Sequence, residues 1–101
     1  MAAEGPASFH LSPLAEADLE DIWSFTVERW SWEQAQSYHR KLVDAFRALA
    51  EGRVKGRAVD VRQGYLKHSV GSHMVFYRQQ KPGIEVIRIL HQRMDVSRHL
   101  P

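Results

Sequence analysis

Cysteine is absent from the 101 residues. That excludes disulfides, thiolate nucleophiles and cysteine metal sites, and it suits a reducing cytoplasm. No apolar run approaches the roughly 20 residues that a membrane-spanning helix needs. Residues 1–11 include Glu4, Gly5, Pro6 and His10 and have neither a basic start nor an apolar core, so no secretory leader is expected. A flexible start is expected over residues 1–6. Glycine is sparse too, and Gly52, Gly56 and Gly64 stand too far apart for either nucleotide-binding fingerprint. The six histidines (His10, His39, His68, His73, His91 and His99) never pair at helical spacing, and no acidic residue completes a ligand motif. Neither a metal nor another cofactor is therefore expected.

What is present describes one domain over residues 1–101. The 44% hydrophobic and 26% charged composition is that of a chain that folds, and the length leaves room for one core of ordinary size. A domain this small leaves much surface in water, so a partner covering an apolar face adds working stability. The net charge of +2 conceals a division. Residues 1–51 carry 4 Lys/Arg against 9 Asp/Glu, a net of −5, whereas residues 52–101 carry 10 against 3, a net of +7. The basic half attracts nucleic acid or an acidic protein segment, and charge alone does not choose between them.

Ala7 to Leu11 alternates in the manner of a strand with one buried face. Ser12 and Pro13 then read as the N-cap and first position of a helix, with Glu16, Asp18, Glu20 and Asp21 at its positive end and Arg29 at the other. Ala15, Leu19, Ile22, Trp23, Thr26 and Trp30 form its apolar stripe. Ser31 and Gln34 have capping-box spacing, which predicts a second helix folding straight back, with Ala35, Tyr38, Leu42, Ala45, Phe46 and Leu49 inward and Gly52 as terminator. Gly52–Gly64 reads as an ordered connector. Three strands follow, over 65–70, 73–80 and 85–91, joined by a Gly71-Ser72 turn of type II′ and by Lys81-Pro82-Gly83. Val86, Ile87, Ile89 and Leu90 make the last strand the most apolar, and we expect it to be central. The fold class is α+β: a strand, two helices and a three-strand meander, with the hairpin of helices on one face of a mainly antiparallel four-stranded sheet. The other face is expected to stay partly open.

Three segments carry a family likeness. They are Leu11-Ser12-Pro13-Leu14-Ala15-Glu16-Ala17-Asp18-Leu19-Glu20-Asp21-Ile22-Trp23, Gly71-Ser72-His73-Met74-Val75-Phe76-Tyr77-Arg78, and Ile87-Arg88-Ile89-Leu90-His91-Gln92-Arg93-Met94-Asp95. In this order and register the chain resembles the ParE branch of the RelE/ParE toxin superfamily from Phe9 to Leu100. The resemblance implies the toxin of a type II toxin–antitoxin pair, neutralised by a ParD-like antitoxin whose C-terminal segment wraps around it. It implies a cytoplasmic, non-enzymatic inhibitor of DNA gyrase, with no membrane association and no sequence-specific DNA contact of its own. RelE-type relatives instead cleave messenger RNA on the ribosome. Lys67, Arg78, Arg88 and His91 could serve that chemistry, yet the chain lacks the tyrosine that many ribonuclease members carry near the C-terminus. A third alternative is an antitoxin-bound scaffold without toxicity.

Candidate target-binding residues are Arg78, His91, Arg93 and Arg98. Strand alternation separates Arg88 from His91 and Arg93, so these side chains cannot all serve one surface. Antitoxin-binding candidates are Leu19, Trp23, Trp30, Trp32, Tyr38 and Arg88. Each has a plain structural reading as well: core or hairpin packing for the aromatics, a helix carboxylate as partner for Arg88, a local hydrogen bond for His91. Tyr65 and Tyr77 could stack on bases or pack on cross-strand neighbours. A helical partner with an acidic segment, lying across the hairpin and the sheet edge, would fit this distribution.

Overall fold

The computed structural model describes residues 7–101, and the flexible start expected at 1–6 lies outside them. The elements are β1 (Phe9–Leu11), α1 (Pro13–Arg29), α2 (Trp32–Ala50), β2 (Arg57–Ala58), β3 (Leu66–Val70), β4 (His73–Gln80), β5 (Gly83–His91) and α3 (Val96–His99). The sheet runs β1-β5-β4-β3-β2, with β1 parallel to β5 and every other pair antiparallel.

Local chemistry sets the helix ends. The Ser12 hydroxyl accepts from the Ala15 N–H at 3.0 Å and donates to the Ile87 carbonyl at 2.7 Å, so one side chain both caps α1 and ties it to β5. Ser31 caps α2 by accepting from the Gln34 N–H at 3.0 Å. At the far end Gly52, at φ 78°, donates to Leu49, and Arg53 donates to Ala48. This is the Schellman arrangement, which needs a left-handed residue at that point. Gly71, at φ 57°, is followed by Ser72 at negative φ, as a type II′ turn requires.

Both helices lie on one face of the sheet. Leu42, Phe46 and Leu49 of α2 and Ala15 of α1 meet Val75, Tyr77, Ile84, Val86 and Ile89 in the main core. The opposite face corrects the expectation of an open side. Phe76, Ile87 and Leu90 are covered there by Val59 of the connector and by Leu100 after α3, with Tyr65, Met74 and Val96 around them. The sheet also has five strands rather than four, because Arg57 and Ala58 in the connector pair with Lys67 and Leu66. A two-residue strand has no periodicity to read. β5 is interior, as expected, and is covered on both faces.

A bulge makes the double coverage possible. Phe76 pairs with Arg88 but Tyr77 pairs with Val86, leaving Ile87 as an extra residue on β5. Val86 and Ile89 therefore face the helices, while Ile87 and Leu90 face the second core.

β1 pairs only with Ile84–Val86, and beyond it the edge of β5 is closed by α1. Asp18 accepts from the Ile89 N–H at 2.8 Å and from Arg88 Nε and Nη2, both at 2.8 Å. Arg88 Nη1 donates to the His99 carbonyl at 2.9 Å. The two side chains are only 12% and 14% exposed. Removing one member of such a pair strands the other. Asp18→Ala is accordingly expected to cost about 3–5 kcal/mol of stability, measured by urea unfolding; a loss below about 1 kcal/mol would show that water replaces the carboxylate.

Candidate functional site

Where the helical hairpin overhangs the β3–β4 turn, the surface opens into a cleft of about 470 Å³. Asp21, Ile22, Phe25 and Thr26 of α1, with Trp30 at its C-cap, form one wall, Gln34 and Tyr38 of α2 the second, and Ser72, His73 and His91 the floor. Two large aromatic side chains stand open to solvent along it, Trp30 at 69% and Phe25 at 56% exposure. The Arg29 guanidinium lies 5.4 Å from the Phe25 ring centre. Ala15 is the only fully buried side chain of α1. The predicted stripe is thus half-covered: Leu19 and Ile22 pack against the core from its edge, while Trp30 does not.

The floor is a chain of polar rings. The Tyr38 hydroxyl lies 3.0 Å from the Val70 carbonyl, 3.2 Å from the Ser72 N–H and 2.7 Å from His73 Nδ1. His73 and His91 meet edge to face with ring centres 5.4 Å apart, and His91 Nδ1 accepts from the Arg93 N–H at 3.2 Å. The bulge at Ile87 creates this pair. Counting straight back from the Gln80–Gly83 end of the hairpin would set His73 opposite Leu90, whereas the extra residue brings His91 there instead. Burial pushes the His73 pKa below its ordinary value and the neighbouring His91 adds to the effect, while Asp18 opposes it.

A second hollow lies on the other side of the hairpin, among Leu11, Leu19, Trp23 and His39, with Glu16 and Glu20 on its rim. Trp23 is edge-on to Trp32 at 6.2 Å and to His39 at 5.8 Å. The candidates for antitoxin contact therefore divide. Trp30 and Tyr38 belong to the cleft, Leu19 and Trp23 to the second hollow, Trp32 to the edge-on contact with Trp23, and Arg88 to the ion pair with Asp18.

The candidates for target contact divide as well. His91 is in the cleft, whereas Arg78, on the opposite sheet face, holds Glu85 at 3.0 Å. Arg93 follows β5 in an exposed turn, and exposed Arg98 on α3 approaches Asp95 at 3.7 Å. Tyr77 is buried, its hydroxyl accepting from the Gly56 N–H at 2.7 Å, so base stacking is closed to it. Tyr65 packs on the second core and donates to the Pro101 carbonyl at 3.2 Å. Among the described residues no group of three or more His, Cys, Asp or Glu could hold a metal, and no helix is long and apolar enough to cross a membrane.

Phe25 and His73 were missing from the candidates. Phe25 lies off the α1 stripe, and a lone large apolar residue among Ser24, Glu28 and Arg29 was the available signal. His73 carried none, since its place depends on the bulge.

A helical hairpin seated on an antiparallel sheet, with open aromatics at its overhang and a cationic remainder, defines a small α+β binding protein. Comparison with known proteins gives the class. Residues 9–96 match the family described as ParE toxin of type II toxin–antitoxin system, parDE. Toxin ParE1 of Mycobacterium tuberculosis (strain CDC 1551 / Oshkosh) is 54% identical over 93 residues, covering 89% of this chain and 94% of that protein. Toxin ParE1 of Caulobacter vibrioides is 42% identical over 93 residues, covering 91% and 96%. The fold also matches a solved chain titled "Chromosomal ParDE TA system from P. aeruginosa", with a TM-score of 0.74 at 20% identity, covering 85% of this chain and 96% of that one. The chain belongs to the ParE family of type II toxins.

Because the fold favours neutral His73, the unfolded chain, with an ordinary histidine near 6.5, binds that proton first as the pH falls. The stabilisation is complete above that value and declines below it, as the pH drops towards the folded-state pKa. Urea midpoints should therefore fall between about pH 7 and about pH 5.5, and the fall should be smaller in His73→Gln. An equal fall in both proteins would remove His73 as its cause.

Proposed function

We propose that this ParE-family toxin acts in the cytoplasm as a non-enzymatic inhibitor of DNA gyrase, and that a ParD-like antitoxin silences it by covering the hairpin cleft. The observation that carries the antitoxin half is the row Ile22, Phe25, Thr26 and Trp30, an apolar groove wall left in water on a domain too small to leave it uncovered without cost. Its spacing along α1 suits a helix laid in a groove. Acidic Glu16, Glu20 and Asp21 border the hairpin's hollows. Acidic residues of a partner are therefore better placed over Arg93 and Arg98 than over the hairpin itself, which refines the expected docking.

Support for a non-enzymatic toxin comes from how the cations are used. Phosphate chemistry needs cations gathered beside a proton-transfer group. Arg88 is committed to Asp18, Arg78 faces away from His91, and the cleft around the two histidines is largely apolar. The basic second half remains available to a large target such as gyrase.

Supercoiling by purified gyrase should be lost on addition of the free protein at micromolar excess and restored by the antitoxin; unchanged supercoiling would refute the target. Position-specific messenger cuts on translating ribosomes, abolished in His91→Ala, would favour the ribonuclease reading instead. Truncating an aromatic anchor in such a groove removes about 2 kcal/mol of binding. Trp30→Ala should weaken the antitoxin complex by roughly 30-fold in a titration, and undiminished affinity would move the interface elsewhere.

A further inference from the structure

The two histidines on the cleft floor have hydrogen-bonding roles that their neighbours dictate. Tyr38 has one hydroxyl proton and three polar neighbours. The Val70 carbonyl can only accept and the Ser72 N–H can only donate. Were the proton turned to His73, two oxygen lone pairs would face each other across 3.0 Å. The proton therefore goes to Val70, and the hydroxyl accepts from Ser72 and from His73 Nδ1–H. Neutral His73 then carries its proton on Nδ1 and has a lone pair on Nε2. His91 has the opposite tautomer: its Nδ1 accepts from the Arg93 N–H, so its proton is on Nε2. Among the described residues neither Nε2 has a hydrogen-bond partner, and no unsatisfied side-chain nitrogen or oxygen is buried. One acceptor and one donor thus sit at the floor of an apolar cleft, on rings 5.4 Å apart.

We propose that this histidine pair receives one uncharged carboxamide, the side chain of an asparagine or glutamine, carried on an otherwise apolar helical segment of the antitoxin. The proposal rests on the toxin–antitoxin reading and adds what the cleft selects. A carboxamide presents its donor and acceptor on separate atoms, which suits two separate rings better than a hydroxyl does. A carboxylate would meet the Nε2 lone pair of His73 and the charge of Asp21 in the same cleft. An ammonium or guanidinium group would find Asp21 in the cleft but, having no acceptor, would leave the His91 N–H facing another donor. Ile22, Phe25, Thr26 and Trp30 span about 12 Å of α1, room for two turns of a partner helix. A second copy of this chain fits badly, since it would bring another acidic α1 against Glu20, Asp21 and Glu28.

Acid should undo the recognition. Once His73 is protonated at Nε2 it can no longer accept, and burial already holds it towards the neutral form. The groups facing the pair are Asp18 and Asp21 of α1, Tyr38 of α2, and Arg93 after β5. Asp18 and Tyr38 are already engaged and the Arg93 guanidinium cannot accept, which leaves Asp21 as the alternative acceptor among these groups.

The test uses the full chain and the purified antitoxin encoded beside it, titrated at about pH 7.5 and about pH 5.5. The expected result is binding a few-fold weaker at the lower pH, less than the roughly tenfold that an ordinary histidine near 6.5 would give. In His73→Phe that pH dependence should disappear and the affinity at the higher pH should fall; His73→Gln, which cannot be protonated, provides the same comparison of pH dependence should His73→Phe fail to fold, whereas His91→Ala should weaken binding and keep the pH dependence. Trp30→Ala should weaken binding equally at both pH values. Replacing each Asn and Gln of the bound antitoxin segment with Leu should reveal one position whose loss is not additive with His73→Phe. Equal pH dependence in the wild type and the folded His73 variant, or additivity at every Asn and Gln, would overturn the proposal while leaving the antitoxin reading intact. Absence of binding at either pH by folded wild-type chain would overturn the reading itself, and a dimer of this chain resting on the cleft would assign the surface to self-association.

Discussion

The carboxylate of Asp18 holds together three parts of the molecule that burial alone would leave loose. β1 is too short to cover the whole edge of β5, and the bare backbone beyond it would be an unsatisfied ladder. Asp18 takes the Ile89 N–H and two Arg88 donors, and Arg88 passes its remaining fork to the carbonyl of His99. α1, the end of β5 and the C-terminal turn are thereby fixed to one another. A buried ion pair contributes little net energy over an apolar replacement, but it imposes geometry. Here the geometry matters because α1 has a single fully buried side chain and would otherwise have weak reason to lie at one angle.

That division of labour explains the surface. α2 is held by Leu42, Phe46, Leu49 and neighbours in the core, whereas α1 is tied down by polar contacts in its N-terminal half: Ser12 on β5 and Asp18 on Arg88. Beyond Ile22, which packs on the core, the helix presents Phe25 and then Trp30 to solvent. The exposed aromatics of this toxin thus sit on an element whose position is already secured by polar contacts. The second hollow, around Trp23 and His39, borders the same helix from the other side, so a partner segment could grip α1 on both flanks.

Much of this could be read from the sequence where the determinant is local. Ser12, Ser31 and Gly52 announce helix ends through short-range hydrogen bonds, and Gly71-Ser72 announces a turn through backbone conformation. The family-bearing segments gave the fold in outline. What escaped was non-local. β2 is two residues long, and Val59, Val96 and Leu100 are isolated apolar positions whose joint burial over Phe76 and Ile87 becomes visible only in three dimensions. That second core is why β5 is so apolar, a fact the sequence displayed without its reason. The cleft needed four separate elements to converge, and its histidine floor needed a register that no turn rule predicts. Arg88 was legible as the partner of a helix carboxylate, though which carboxylate was not.

The extra residue at Ile87 works like an offset in a gear train. Everything from Arg88 onward is advanced by one tooth relative to β4, and that single step decides both the arginine that reaches Asp18 and the ring that stands over His73. Loss of that one residue would close the ladder without a bulge, with Arg88 still opposite Phe76 and His91 still opposite His73, and would remove only the side chain that Ile87 gives to the second core. The nine residues of β5 against the eight of β4 thus let one strand fill both cores while its far end keeps the ion pair and the histidine floor in register.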